Sequence, residues 1–364
     1  MKVVMVTNIP APYRIPILNR VAACLGVNFL VIFCARIEPN RQWDFEQFDF
    51  SHVYLKENFS KSKGFFIHNN LDVISVLRQF RPDVVITTGF NPTFLYAWLY
   101  ALLSGCHHVP MTDGWLLSES ALSRMHKVVR HLVYRTSRAF IGASKKSLDL
   151  YRSYGVAESS LFQSHLCIDN KRFSNLAQTA DRQFDIMFSG QFIERKMPDF
   201  FVDVACKVNN MRGAVKVLLL GDGPLKDHVL KRFTAAGIEF TDAGFVSQEE
   251  LPSYYSRAKL LLFTTNNDPW GIVANEALAS GTPVVTSPNS GAAYDLVVDG
   301  WNGYVLESNV DLWAEKVVEL LSHNQCWSVL HFNALKSVEK FNFDNAADGI
   351  VAAAEWACLR SGSR

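Results

Sequence analysis

Short runs of β-branched and other apolar residues alternate along the chain with segments of helical periodicity. In the first half these runs lie at Lys2–Thr7, Asn28–Ala35, Asp83–Gly89, Val109–Asp113 and Ala139–Ala143. Amphipathic stretches such as Ile15–Leu25 and Asn70–Gln79 separate them. Apolar runs bounded by turn residues and separated by helices predict a parallel sheet buried on both faces.

The same alternation begins again after Phe173, with a second series of strand candidates. They lie at Asp185–Ser189, Val215–Leu220, Ile238–Thr241, Leu260–Thr265, Val284–Thr286 and Tyr304–Leu306. Two such series predict an α/β chain of two doubly wound, Rossmann-like domains. We place the domains at 1–173 and 184–343, with the polar segment 174–183 as linker. The Ala-rich segment 344–364 is expected to form a helix that packs on one of the two domains, and the first domain is a candidate.

Composition narrows the class of protein. The 364 residues are 49% hydrophobic and 20% charged, and the net charge is +1, which argues against a chain-wide nucleic-acid binder. The longest apolar run, Phe94–Leu103, is about half of what a bilayer span needs, and we find no secretory signal. Seven scattered cysteines without a CxxC pair favour a reduced, cytoplasmic protein.

The segment Leu260–Val285 carries the strongest chemical signal. A strand ends at Thr265, a polar loop follows, and Asp268-Pro-Trp-Gly271 opens a short helix. The first amide groups of that helix lie at the carboxyl edge of the sheet, where they can bind a phosphate or a sugar oxygen. Asp268 and Glu276 can border the same cleft and accept hydrogen bonds from hydroxyl groups. The alternative is that Asp268 only caps the helix and Glu276 is solvated.

A second signal follows the strand that ends near Gly190. Arg195 and Lys196 stand in the loop before a helix and could neutralise a diphosphate. An ordinary solvated basic pair is the alternative.

Together these segments resemble the retaining family-4 (group 1) glycosyltransferases, which have the GT-B fold. Asp268, Gly271 and Glu276 stand at the E-x-x-G-x-x-x-x-E positions, with Asp in place of the first Glu. Gly190 and Lys196 match the family's G-R-x-x-x-x-K pattern, where Gln191 replaces the Arg and Arg195 would supply the missing guanidinium. The resemblance runs from about 184 to 307 and includes Gly221-Asp-Gly-Pro224 and Gly244–Ser247.

The resemblance implies two domains facing across a cleft and a nucleotide-sugar donor bound by the second. The first acid would hold the donor sugar, the second the ribose, and Lys196 the diphosphate. The expected donor-binding residues are Gly190, Arg195, Lys196, Val246, Pro269, Trp270, Gly271, Ile272, Val273 and Glu276. We find no D-x-D and no metal-ligand spacing, so we expect neither a metal nor a cofactor, since the nucleotide-sugar is a substrate.

The first half would bind a glycan or lipid-linked acceptor. Arg14, Asn91 and Asp113 follow predicted strands, and Asp113 is the candidate for contact with the acceptor hydroxyl, beside Asp268, Glu276 and Lys196 as catalytic residues. Glu119 is a nearby second candidate. Ordinary turns explain these residues about as well.

Segment 121–152 carries eight cations and one acid, a net charge of 8 − 1 = +7. A basic amphipathic helix is typical of contact with an anionic membrane surface, although its apolar positions suit a helix that covers the sheet. We expect no nucleic acid here, because no aromatic platform accompanies the cations.

We therefore expect a retaining glycosyltransferase of surface polysaccharide or lipopolysaccharide assembly, cytoplasmic and at most peripheral to the membrane. A nucleotide-sugar epimerase of similar fold and a non-catalytic nucleotide-sugar-binding relative are the alternatives.

Overall fold

The computed structural model describes residues 1–39, 47–62, 65–120, 122–177 and 180–359. The chain forms two compact units. The first contains Met1–Cys167 together with the final helix, and the second contains Ile168–Asn342.

A seven-stranded parallel sheet forms the centre of the first unit, in the order β3-β2-β1-β6-β7-β8-β9. Its strands are β1 (Val3–Thr7), β2 (Phe29–Phe33), β3 (Ser51–Tyr54), β6 (Val84–Thr87), β7 (His107–Thr112), β8 (Phe140–Gly142) and β9 (Leu161–Gln163). A separate antiparallel pair is formed by β4 (Phe59–Ser62) and β5 (Phe65–His68).

Helices cover both faces of this sheet. They are α1 (Ile15–Leu25), α2 (Val73–Phe80), α3 (Pro92–Ser104), α4 (Leu116–Ser120), α5 (Arg124–Thr136), α6 (Lys145–Ser153) and α14 (Phe343–Leu359). Val3 and Met5 of β1 pack in the core beneath α1 and α14, whereas Val4 and Val6 pack in the core beneath α2 and α3. This division follows from the two-residue period of a strand, and it explains why the strand is apolar throughout.

The second unit is built on a six-stranded parallel sheet in the order β12-β11-β10-β13-β14-β15. Its strands are β10 (Phe184–Ser189), β11 (Lys216–Leu220), β12 (Glu239–Gly244), β13 (Ala258–Phe263), β14 (Val284–Thr286) and β15 (Gly303–Val305). Its helices are α7 (Asn170–Ser174), α8 (Pro198–Arg212), α9 (Lys226–Ala235), α10 (Leu251–Tyr255), α11 (Ile272–Ala279), α12 (Val310–Ser322) and α13 (Asn324–Ser337).

The boundary between the units lies a few residues before the predicted one at 173. Phe173 on α7 is fully buried and packs edge-on against Tyr255 of α10, so residues 168–173 join the second unit. The predicted linker 174–183 also lies in this unit. Arg182 donates hydrogen bonds to the carbonyls of Ala258 and Ser280, and residues 178–179 lie outside the described residues.

The final helix packs in the first unit, where Ala347, Ile350 and Ala354 enter the core beside α1. Residues 360–364 of the predicted segment lie outside the described residues. Among the helices of the described ranges, none has the length and apolar character that crossing a bilayer requires.

Gly349 of α14 offers a test of this packing, because a Cβ atom there would lie 1.8 Å from the carbonyl oxygen of Gln163 in β9. Replacing Gly by Ala inside a helix normally stabilises it by about 1 kcal/mol. We predict that Gly349→Ala instead destabilises the protein by about 1–3 kcal/mol, measured by denaturant unfolding. Glu355→Ala, exposed on the same helix, is the control. An unchanged or higher midpoint for Gly349→Ala would contradict the packing.

Candidate active site

The carboxyl ends of β10 and β13 meet at one edge of the second sheet, because these parallel strands are neighbours. The loop after β10 carries Gly190, and the loop after β13 leads through Asp268 to α11. In open α/β sheets this edge is where ligands bind.

The loop after β10 is held by close backbone packing. A Cβ atom on Gly221 would lie 1.9 Å from the carbonyl oxygen of Gly190, and one on Gly223 would lie 2.7 Å from the amide of Phe192. Both glycines also have positive φ angles, of 119° and 153°. The Gly221-Asp-Gly-Pro224 turn is therefore a structural support for the Gly190 loop.

Three charged side chains converge after these strands. The Lys196 ammonium lies 2.5 Å from Asp268 Oδ2, and Arg195 Nη1 lies 3.1 Å from the same oxygen. Lys196 and Asp268 are buried, whereas the Arg195 side chain is 41% exposed. Arg195 also donates to the carbonyl of Asn267 at 2.8 Å. The two predicted cations and the first predicted acid thus form one ion-paired cluster.

The electrostatic state of Asp268 follows from this pairing. Burial by itself would raise the pKa of the carboxyl, but the positive charges of Lys196 and Arg195 outweigh it and hold the pKa below its usual value. The backbone N–H of Trp270 donates to Oδ1 at 3.2 Å and acts in the same direction. Asp268 is therefore an ionised carboxylate at neutral pH.

Two threonines fix the backbone that carries the cations. Thr264 donates its hydroxyl to the carbonyl of Lys196 at 2.8 Å, and Thr265 donates to that of Arg195 at 3.0 Å. These bonds tie the short 3₁₀ turn Glu194–Lys196 to the end of β13.

Gly271, at the amino end of α11, is required by packing. Its φ is +94°, and a Cβ atom there would lie 2.3 Å from the Phe263 ring. The adjacent Trp270 ring is buried, and its centre lies 5.8 Å from the centre of the Phe341 ring. The group of Trp270 that contacts Asp268 is its backbone amide.

Glu276 has a different environment from Asp268. It is buried on α11, and the Tyr255 hydroxyl donates to its Oε2 at 2.6 Å. Burial raises the pKa of Glu276 to about 6, although the Tyr255 hydrogen bond and the charges of Arg172 and Lys196 oppose the rise. The two acids therefore differ, since Asp268 is held charged and Glu276 titrates close to neutral pH.

Sequence reasoning missed the residues that position Glu276. The Tyr255 hydroxyl also lies 2.7 Å from the hydroxyl of Ser189, the last residue of β10, and this links α10, β10 and α11. Asn275, fully buried beside Glu276, donates to the side chain of Asn170 at 3.4 Å. Tyr255 follows a second tyrosine, Tyr254, and this Tyr-Tyr pair was the one available signal in the sequence. No signal pointed to Ser189 or Asn170.

The other predicted donor-binding residues lie on the same edge or close to it. Pro269, Ile272 and Val273 are partly exposed around the start of α11, and Val246 is partly exposed after β12. Gly190 has a positive φ of 137° at the end of β10.

In the first unit, Arg14, Asn91 and Asp113 follow the adjacent strands β1, β6 and β7. Asp113 is exposed, Arg14 contacts the Met111 sulfur at 3.7 Å, and Asn91 donates to the Phe66 carbonyl at 3.4 Å. Glu119 is instead buried in an ion pair with Arg130 at 2.5 Å. Within the described ranges we find no group of three or more His, Cys, Asp or Glu side chains arranged to hold a metal ion.

Comparison with solved structures identifies the fold. The Anabaena protein Alr3699/HepE in complex with UDP aligns with 98% of this chain and 100% of its own, at a TM-score of 0.76 and 16% identity. The apo lipopolysaccharide outer core galactosyltransferase WaaB aligns with 97% of this chain and 99% of its own, at a TM-score of 0.71 and 15% identity. The chain has the GT-B fold, as the resemblance implied.

Residues 169–331 match the family described as glycosyl transferases group 1, which confirms the resemblance to group 1 glycosyltransferases over that range. The glycosyltransferase MJ1607 of Methanocaldococcus jannaschii is 30% identical over 170 residues, which are 46% of this chain and 43% of that protein. Sulfoquinovosyl transferase SQD2 of Arabidopsis thaliana is 21% identical over 304 residues, 76% of this chain and 57% of that protein. The chain thus spans about half the length of these curated relatives.

The raised pKa of Glu276 predicts a pH dependence of stability. A carboxyl whose pKa is raised from 4.5 to about 6 on folding stabilises the fold below pH 4.5, and this contribution disappears as the pH rises through about 6. The change amounts to about 2 kcal/mol. We predict that Glu276→Gln gains about 2 kcal/mol relative to wild type between about pH 4 and pH 7, measured by urea unfolding. Parallel pH profiles of the two proteins would contradict it.

Proposed function

We propose that the protein is a retaining glycosyltransferase that moves a hexosyl group from a nucleotide-sugar donor to a glycan or lipid-linked acceptor. The observation that carries the proposal is the charged cluster of Lys196, Arg195 and Asp268 at the sheet edge that also holds Glu276. These residues occupy the positions of the family's donor-site motifs, and the family match covers them.

The leaving diphosphate is the group that most needs positive charge. Lys196 and Arg195 provide two cations beside the amino end of α11, whose dipole adds partial positive charge. Preorganised charge of this kind stabilises a leaving group electrostatically. We therefore propose that neither a metal ion nor a cofactor takes part.

The two acids would have separate roles. Asp268 keeps its charge and can accept hydrogen bonds from hydroxyl groups of the donor sugar. Glu276 would accept hydrogen bonds from the ribose of the nucleotide. Asp113, exposed after β7, would orient the acceptor hydroxyl. Transfer would occur on the face from which the diphosphate leaves, and retention follows from that geometry.

Two further observations bear on the setting of the reaction. HepE was solved with UDP and with UDP-glucose, and WaaB is a lipopolysaccharide galactosyltransferase. We propose a UDP-hexose as the first donor to test, and surface polysaccharide or lipopolysaccharide assembly as the pathway. The seven cysteines are free thiols, which fits a cytoplasmic reaction.

A thermal-shift screen with nucleoside diphosphates and their sugars tests donor binding, because a ligand at 100 times its Kd stabilises by about 2.7 kcal/mol. We expect UDP or a UDP-hexose to raise the melting temperature. A wider set of nucleotides should be screened beside them. The absence of a shift with every nucleotide would overturn the proposal.

Transfer itself is tested with Lys196→Ala and Glu276→Ala. We predict a loss of about 10²–10³-fold in kcat for Lys196→Ala, because the leaving group loses its buried cation. Glu276→Ala should chiefly weaken donor binding. Lys207→Ala and Glu315→Ala, exposed positions of the same unit, are the matched controls. Formation of an isomeric donor without an acceptor would indicate an epimerase, and tight binding without turnover would indicate a binding protein.

Tyr255→Phe should alter the pH dependence of donor binding. The Tyr255 hydrogen bond lowers the pKa of Glu276, so its loss should raise that pKa further above 6. Because ribose binding requires the carboxylate, UDP affinity should decrease as the pH is lowered through the pKa of Glu276. This decrease should begin at a higher pH in the variant than in wild type. Calorimetric titration across about pH 5–8 measures this shift. Equal pH profiles would show that Tyr255 does not position Glu276 for binding.

A further inference from the structure

Helix α5 of the first unit has an apolar face that the structure leaves uncovered. Met125, Val128 and Leu132 are 73%, 57% and 50% exposed. They are spaced by three and four residues, so they form one stripe along the helix. The opposite face is the packed one, since Val133 and Tyr134 are buried against Phe140 and Tyr151.

Cations border this stripe. Arg124 and Arg135 stand four and seven residues from Val128, and Lys127 stands one turn from Arg124. All three are exposed, and the sequence of α5 contains no Asp or Glu. None of the three forms an ion pair with any described residue. We call this surface the α5 face. It is formed by Arg124, Met125, Lys127, Val128, Leu132 and Arg135.

The structure separates these cations from others in segment 121–152. Arg130 is paired with Glu119 and lies 4.2 Å from the centre of the Phe90 ring, so it supports the unit's own packing. Arg152 is paired with Asp149 and Glu158. The net charge of +7 therefore overstates the charge that is free of internal pairing.

We propose that the α5 face docks on the surface of an anionic lipid bilayer. The exposed apolar side chains can enter the boundary between the lipid headgroups and the acyl chains. The flanking Arg and Lys side chains can pair with the lipid phosphates. A second copy of the chain fits less well, because a symmetric contact would bring like charges together. Nucleic acid fits less well, because the stripe has aliphatic side chains and no aromatic ring for bases to stack on.

This docking surface lies in the first unit and does not rest on the proposed function. Vesicle binding can therefore succeed or fail independently of nucleotide binding by the second unit. Circular dichroism and thermal unfolding report whether each variant keeps its fold.

The test is co-sedimentation of the full chain with phosphatidylcholine vesicles, with and without about one third phosphatidylglycerol. We expect binding to the anionic vesicles only, weakening as salt is added, because screening acts on exposed charges. No binding to anionic vesicles, or equal binding to neutral ones, would overturn the proposal.

Two variants separate the two parts of the surface. Arg124→Gln/Lys127→Gln/Arg135→Gln removes charge and should lower the partition coefficient by about tenfold or more. Val128→Ser/Leu132→Ser keeps the charge and should also lower it by about tenfold. Val329→Ser/Phe332→Ser, at positions of α13 that are 57% and 65% exposed, is the matched control and should bind as wild type.

The pattern of losses decides the outcome. If only the charge variant loses vesicle binding, the binding is general adsorption of a basic segment. That result would overturn the proposal that the apolar stripe docks on the bilayer. Self-association that disappears in the apolar variant, without vesicle binding, would assign the α5 face to a second copy.

Discussion

The buried ion pair between Lys196 and Asp268 is the interaction on which the arrangement of the candidate site depends. Each charge lies where water is largely excluded, so each would be strongly unfavourable without the other. Breaking such a pair by removing one partner typically costs about 3–5 kcal/mol. The two residues come from loops after different strands, and the pair therefore holds these loops together at the sheet edge. A diphosphate that binds Lys196 would compete with Asp268 for the same cation, so donor binding would redistribute charge already present.

The second acid is held by neutral donors instead. Tyr255 and Ser189 form a short hydrogen-bonded chain that ends on Glu276, and burial leaves its pKa at about 6. One edge of one sheet thus holds two carboxyl groups in different protonation regimes. The difference arises because cations face Asp268 closely, whereas Glu276 sits deeper against uncharged hydroxyl groups.

Much of the fold could be predicted, because apolar strands buried on both faces leave a clear periodic signal in the sequence. The short edge strands β3 and β9 gave a weaker signal, since their residues are partly exposed and mixed in character. The motifs singled out Arg195, Lys196 and Asp268 separately, but they did not indicate the ion pairs that join these residues. Tyr255, Ser189 and Asn170 were not assigned to the site, because common polar residues acquire their roles only when distant segments pack together. Val128 and Leu132 were expected on an amphipathic helix, but only packing shows that they point away from the core.

The position of α14 has a consequence for how the chain folds during synthesis. The second unit is inserted between β9 and the last helix of the first, so the first unit is encoded by two segments far apart in sequence. Residues 1–167 emerge from the ribosome before the second unit, yet α14, which covers one face of their sheet together with α1, is synthesised after it. Contacts of such large sequence separation form slowly. The second unit, encoded without interruption, can therefore complete its folding while the earlier unit still exposes the apolar surface that α14 later covers.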